Sequence, residues 1–270
     1  MYRLLGFIRI LLLLAGLLFL LTCLIFEFLI SFPVLAIDSV LAKKFQLRKA
    51  LKSCFDITKI YFCRYWAYSL GVRLKTSVKG RVENEMLLVA NHVSYLDIIC
   101  LSSNFPVSYM AKQEVKSWAI VSQIVKLSGG VFVKREDNAS RVRAMFQLIY
   151  GFRRRAICVF PEGTTTAHED PSKETWNLGA FAAAYRAGAS VLVCGISYGD
   201  REFAPWVGDD AFVPHLWATM CKPSNSVSLF GQVYSKQEVQ AMGIRGFGEK
   251  ARQEVIRLQN LAEMDLRERP

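Results

Sequence analysis

The chain has 270 residues, room for one sizeable domain plus an appendage. Hydrophobic residues make up 52% of it, and 34 basic against 23 acidic side chains give a formal net charge of +11. The hydrophobic excess lies at the front with the positive excess beside it, a pairing that speaks for a membrane surface and against a nucleic-acid partner. The cysteines (23, 54, 63, 100, 158, 194 and 221) are odd in number, mostly in apolar context and without zinc-ligand spacing, and His92, His168 and His215 lie far apart. Buried thiols in a reducing compartment are expected, and no metal site.

Ile10 to Phe26 carries no charge, and with Glu27 tolerated the apolar stretch runs on to Ile37. A span needs roughly 20 apolar residues, so this one can cross or lie deep in a bilayer. It is longer than the apolar stretch of a signal peptide, and Phe26, Glu27, Phe28 and Phe32 are poor neighbours for a cleavage site. Residues 1–40 are therefore read as a retained anchor.

Between Lys43 and Arg81 stand Lys43, Lys44, Arg48, Lys49, Lys52, Lys59, Arg64, Arg73, Lys75, Lys79 and Arg81 against Asp56 alone. Such a belt faces the cytoplasm and is drawn to anionic headgroups. With Tyr61, Phe62, Tyr65, Trp66 and Tyr68 interleaved, residues 41–78 read as basic amphipathic helices on the membrane surface or packed on the domain that follows.

From Lys79 onward short apolar runs alternate with helical stretches. Strands are expected at 86–90, 107–111, 130–133, 156–160, 190–196 and 226–230. Val142, Met145, Phe146, Ile149 and Phe152 recur at helical spacing, Ala180–Arg186 is a helix stopped by Gly188, and a charged helical tail follows Ser235. The alternation predicts an α/β domain over 79–270, with a central mixed, largely parallel sheet flanked by helices.

Three turns after strands carry polar groups, and ligands in open α/β sheets bind beyond the carboxyl ends of strands. The first is Asn91-His-Val-Ser-Tyr-Leu-Asp97. His92 is suited to remove a proton near neutral pH, and a carboxylate can hold its other ring nitrogen. Five positions on one straight helix would put His92 and Asp97 about 140° apart, so a pair requires the histidine in the turn before the helix. Ser94-Tyr-Leu-Asp97 is equally a capping box, and spacing alone does not choose. The second is Gly129-Gly-Val-Phe-Val-Lys-Arg135, where Lys134 and Arg135 can grip a phosphate or simply end a solvated strand. The third is Phe160-Pro-Glu-Gly-Thr164, a tight turn presenting Glu162, Gly163 and Thr164.

In this order the segments resemble those of the glycerolipid acyltransferase family, which acylates lysophosphatidic acid and other lysophospholipids. The family's histidine, four residues and aspartate are matched by His92 and Asp97. Its glycine, phenylalanine, aliphatic residue and arginine are matched by Gly129, Phe132, Val133 and Arg135, and its Phe-Pro-Glu-Gly-Thr by residues 160–164. Tyr109-Met-Ala-Lys112 resembles a stretch that carries a lysine, and Gly179-Ala-Phe181 resembles the start of the next helix.

The resemblance runs from about residue 80 to 235. It implies an O-acyltransferase domain in which His92 and Asp97 are catalytic and Lys112, Lys134, Arg135, Glu162, Gly163 and Thr164 bind substrate. The donor would be acyl-CoA or acyl-carrier protein, with no further cofactor, and the acceptor a lysolipid, first of all 1-acylglycerol-3-phosphate. The implied setting is the inner membrane, with the domain on its cytoplasmic face among membrane lipids. Thr165 stands where the family has arginine, and Val191 to Ile196 lacks the family's prolines. Both differences turn attention to other acceptors such as lyso-ornithine lipid. An inactive lipid-binding scaffold is a further alternative, and so is a serine hydrolase built on Gly195-Ile-Ser-Tyr-Gly199, with Asp209, Asp210 and His215 following.

Overall fold

The structure is a computed structural model that describes residues 2–41, 47–83, 85–117, 122, 125, 129–134, 136–152, 154–166, 176–202, 204–208 and 210–269. At 23, 24, 26–41 and 47–55 it describes the backbone alone. The chain divides into two compact units. One comprises Met1–Arg73, Ile98–Pro106 and Phe212–Ser224, the other Leu74–Asp97, Val107–Ala211 and Asn225–Pro270.

In the first unit, α1 (Tyr2–Leu41) and α2 (Leu47–Ser69) are joined by α6 (Phe212–Cys221). The stretch Tyr2–Thr22, with a mean hydropathy of 2.7 and only 17% of its most apolar window buried, is long and apolar enough to cross a membrane. Leu11, Leu14, Leu18 and Phe19 point outward, a surface that water does not favour. The opposite side of α1 is tied down. Arg9 donates to the carbonyls of Met220 (2.9 Å), Lys222 and Pro223 (2.6 Å), and the Tyr65 hydroxyl donates to the carbonyl of Leu12 at 2.7 Å. Gly16 is required there, because a Cβ would come within 2.2 Å of the Tyr65 ring.

The second unit is built on a seven-stranded sheet among the described residues, in the order β1-β7-β6-β2-β5-β3-β4. The strands are β1 (Val72–Lys79), β2 (Met86–Ala90), β3 (Val107–Lys112), β4 (Val131–Val133), β5 (Ala156–Val159), β6 (Ser190–Tyr198) and β7 (Asn225–Tyr234). Strands β4, β3, β5, β2 and β6 run parallel, and β7 pairs antiparallel to β6. Every residue of β2, β5 and β6 is buried, as expected of strands covered on both faces, which is why they read as unbroken apolar runs. Leu87, Val89, Ile157, Val159, Val191 and Val193 share one core with α4 (Asn138–Phe152), α5 (Gly179–Ala187) and α7 (Lys236–Arg267).

The mixed, largely parallel sheet flanked by helices, preceded by an apolar helix, is the expected architecture. Two details differ. Residues 72–78, assigned above to a surface helix, form the body of β1. Their side chains alternate between inside and outside with period two, so the basic residues Arg73, Lys75 and Lys79 occupy the outward positions of a strand. Helix α4 buries Ala144, Leu148 and Phe152 at four-residue spacing, which puts Val142 and Phe146 on its exposed side.

The tail is anchored firmly. Ser235 and Glu238 close a capping box at the start of α7, and a Cβ at Gly195 would lie 2.2 Å from the Gln259 amide, so β6 and α7 meet backbone to backbone. Asp265 of α7 accepts from Lys75, Ser228 (2.7 Å) and Arg269. Desolvation pushes its carboxyl up, but these hydrogen bonds outweigh it and bring it down to about 2. The network's stability is therefore present above the ordinary aspartate value of 3.8 and is lost as pH falls through about 2. The difference in melting temperature between the parent chain and Asp265→Asn should be open at neutral pH and close as the medium is acidified. A difference that persists at the acid end would refute this account.

Candidate active site

Strand β2 ends at Ala90, paired with Cys194 of β6. The next residue, Asn91, continues the ladder with its side chain: Oδ1 accepts from the Ile196 amide at 2.8 Å and Nδ2 donates to the Ile196 carbonyl at 2.9 Å. This fixes where the following turn begins.

The turn carries His92, whose backbone is held on both sides by the segment after β5. Its N–H donates to Glu162 Oε2 (3.2 Å), and its carbonyl accepts from the Thr166 amide (2.8 Å) and hydroxyl (3.4 Å). Glu162 Oε2 also accepts from the Thr166 hydroxyl at 3.2 Å. The Gly163 amide closes the turn on the Phe160 carbonyl at 3.1 Å, with Gly163 at φ 81°, where a side chain would be strained. The imidazole stacks on Phe160, with centroids 3.9 Å apart and planes 9° from parallel.

Asp97 lies in the first turn of α3 (Leu96–Ser102) and is fully buried, whereas the His92 side chain keeps 16% of its surface exposed. Asp97 Oδ2 lies 2.8 Å from His92 Nδ1 and accepts from the amides of Val93 (2.7 Å) and Ser94 (2.9 Å). Its Oδ1 accepts from the Tyr198 hydroxyl at 2.5 Å. Four donors thus meet the two oxygens of this buried carboxylate and fix its orientation. An N–H on Nδ1 donating to that carboxylate leaves Nε2 with the lone pair, the tautomer a general base needs. The pair forms, and of the capping box only the Asp97 half forms beside it: Asp97 closes the helix start through backbone amides and holds the histidine with the same oxygen. Ser94 contributes its amide, while its buried hydroxyl finds no hydrogen-bond partner among the described residues.

The structure brings His92, Asp97, Glu162 and Gly163 together, with exposed Thr164 in the same turn. Lys112 and Lys134 stand exposed at the ends of β3 and β4, the sheet edge on which the other turns lie, with β5 between them and β2. Arg135 lies outside the described residues. Sequence reasoning missed the roles of Asn91, Phe160, Thr166 and Tyr198. It also missed the loop after β6, whose Trp206 donates its amide to the Val93 carbonyl (3.0 Å) and meets Tyr95 edge-on. The hydrolase reading fails here, because Ser197 sits fully buried inside β6 and not on an exposed turn.

A sequence model of the acyltransferase family matches residues 72–197, from the start of β1 to one residue before the end of β6. The chain is 34% identical over 196 residues to a lyso-ornithine lipid O-acyltransferase from Pseudomonas aeruginosa, covering 68% of this chain and 73% of that protein. To a 1-acyl-sn-glycerol-3-phosphate acyltransferase from Neisseria gonorrhoeae it is 33% identical over 141 residues, 50% of this chain and 54% of that one. The fold matches the crystal structure of the 1-acyl-sn-glycerophosphate acyltransferase PlsC from Thermotoga maritima with a TM-score of 0.60 and 18% identity, over 97% and 98% of the two chains. By its likeness to the Pseudomonas protein and its match to the family model, the chain belongs to the acyltransferase family and is an O-acyltransferase.

Proposed function

We propose that the chain acylates the free hydroxyl of a membrane lysolipid from a thioester donor, acyl-CoA or acyl-carrier protein, and that His92 is its general base. The observation that carries this reading is the 2.8 Å contact between His92 Nδ1 and the buried Asp97 carboxylate, which leaves Nε2 to carry the lone pair. Nε2 takes the hydroxyl proton as the lysolipid oxygen attacks the thioester carbonyl. Asp97 stabilises the imidazolium that forms. The tetrahedral adduct then collapses, breaking the carbon–sulfur bond, and the thiolate recovers the proton from the imidazolium. Gly163, Thr164, Lys112, Lys134 and Arg135 are assigned to the acceptor headgroup and the donor. Glu162 serves the site by holding the His92 backbone.

Thr165, standing where the family carries a cation, favours an acceptor without a phosphate. The more extensive likeness to a lyso-ornithine lipid O-acyltransferase supports the same choice. Lyso-ornithine lipid is therefore placed ahead of 1-acylglycerol-3-phosphate. The apolar α1 and the basic residues after it fit a site at the inner membrane, with the catalytic unit on the cytoplasmic face.

The test is to give membranes containing the protein labelled acyl-CoA or acyl-carrier protein with each lysolipid in turn, and to weigh the products. Diacylated ornithine lipid should dominate. Faster conversion of 1-acylglycerol-3-phosphate would reverse the acceptor order, and no transfer to any lysolipid would sink the enzyme reading.

A further inference from the structure

The segment Gly195-Ile-Ser-Tyr-Gly199 is not a nucleophile elbow, but it reaches the active site by another residue. Tyr198 is 1% exposed at the end of β6, and its hydroxyl donates to Asp97 Oδ1 at 2.5 Å. Its position is set by the sheet: β6 is in register with β2 up to the Ala90 and Cys194 pair, and the Asn91 side chain extends that register through Ile196. The two oxygens of Asp97 are thereby used differently. Oδ2 takes the imidazole and the amides of Val93 and Ser94, while Oδ1 takes the phenol.

We propose that Tyr198 is a positioning residue of the transfer reaction, its phenol holding the Asp97 carboxylate in the rotation that presents Oδ2 to His92 and tempering the charge that His92 feels. The inference rests on the catalytic reading of His92 and Asp97 given above. The terminal torsion of an aspartate is soft, so a donor on the second oxygen restricts it. A phenol hydrogen bond also draws negative charge away from the imidazole, and its removal returns that charge to Oδ2 and stabilises the imidazolium. Among the described residues, the ionisable groups bonded to His92 or to its partner are Asp97 from α3 at the imidazole, Glu162 from the turn after β5 at the His92 amide, and Tyr198 from β6 at the Asp97 carboxylate, while Tyr109 of β3 stacks on the Phe160 ring that lies against the imidazole.

The experiment compares the full chain in its membranes with Tyr198→Phe, with a chain carrying a ring-fluorinated tyrosine at 198, and with His92→Ala, measuring rate against pH for both substrates. Tyr198→Phe should lower kcat about tenfold with both KM values within about twofold, and should move the acid limb of kcat/KM to higher pH by about half a unit. The fluorinated phenol, a stronger donor of nearly the same shape, should move that limb to lower pH while activity persists. A loss of rate with an unmoved limb in both proteins would reduce Tyr198 to packing and overturn the proposal, as would an unchanged kcat in Tyr198→Phe. Should the phenylalanine variant fail to accumulate, the fluorinated chain alone decides by the same limb. An inactive His92→Ala beside unmoved limbs sinks only the Tyr198 proposal, whereas an active His92→Ala sinks the catalytic reading beneath it.

Discussion

Replacing His92 by alanine should reduce acyl transfer by about 10² to 10⁴ while leaving the protein folded. The imidazole contributes little that the fold requires. It is partly exposed, its stacking on Phe160 covers one face, and the backbone bonds to Glu162 and Thr166 that fix the turn do not involve the side chain. Initial rates in membranes and a thermal melt measured on the same preparation give both halves of the result. Transfer at the parental rate would remove His92 from the mechanism, and a collapsed melt would mean that the turn depends on the ring.

Asp97→Asn should behave differently, losing both activity and stability. Amide nitrogen in place of Oδ2 would set a donor against the N–H groups of Val93 and Ser94, and in place of Oδ1 it would force the Tyr198 hydroxyl to turn from donor to acceptor and leave its own buried proton without the carboxylate, so either orientation breaks a bond the carboxylate accepts. Leaving such groups unsatisfied in a fully buried site costs about 3 kcal/mol, which at this size lowers the melting temperature by roughly 5 to 10 °C. Turnover should fall by about 10⁴, since an asparagine also favours the wrong imidazole tautomer. The contrast between the two variants is the discriminating result. An Asp97→Asn chain as stable as His92→Ala would mean that the carboxylate is less tightly held than its four donors imply.

The sheet was largely legible because parallel strands buried on both faces are continuous apolar runs. The expected 86–90 and 107–111 correspond to strands at 86–90 and 107–112. Strand β1 escaped because its basic residues drew attention to the membrane, although Val72, Leu74, Thr76 and Val78 alternate with them at the strand period. At the site, the chemical pair was readable from residue type and motif order, but its supports were not. Asn91 acts by completing a strand pair, Thr166 by bonding a carbonyl, and Tyr198 by reaching Asp97 from the strand on the other side of β2 from β5. Each depends on a neighbour 74 or more positions away, which no local pattern encodes. Cap and pair looked like competing explanations of Asp97 because a sequence assigns one role per residue, whereas a carboxylate oxygen accepts several donors at once.

The placement of β2 between β5 and β6 also governs when the surroundings of the catalytic pair are completed. His92 and Asp97 are five residues apart and meet within a single turn, yet long-range groups that hold them come from 70 to 101 residues further along. Parallel pairing across such separations is closed late in folding, after the cost of confining long loops has been met. The bonds between Asn91 and Ile196 and between Tyr198 and Asp97 therefore form only once β6 is seated beside β2, so the surroundings of the pair are completed by a strand made long after it.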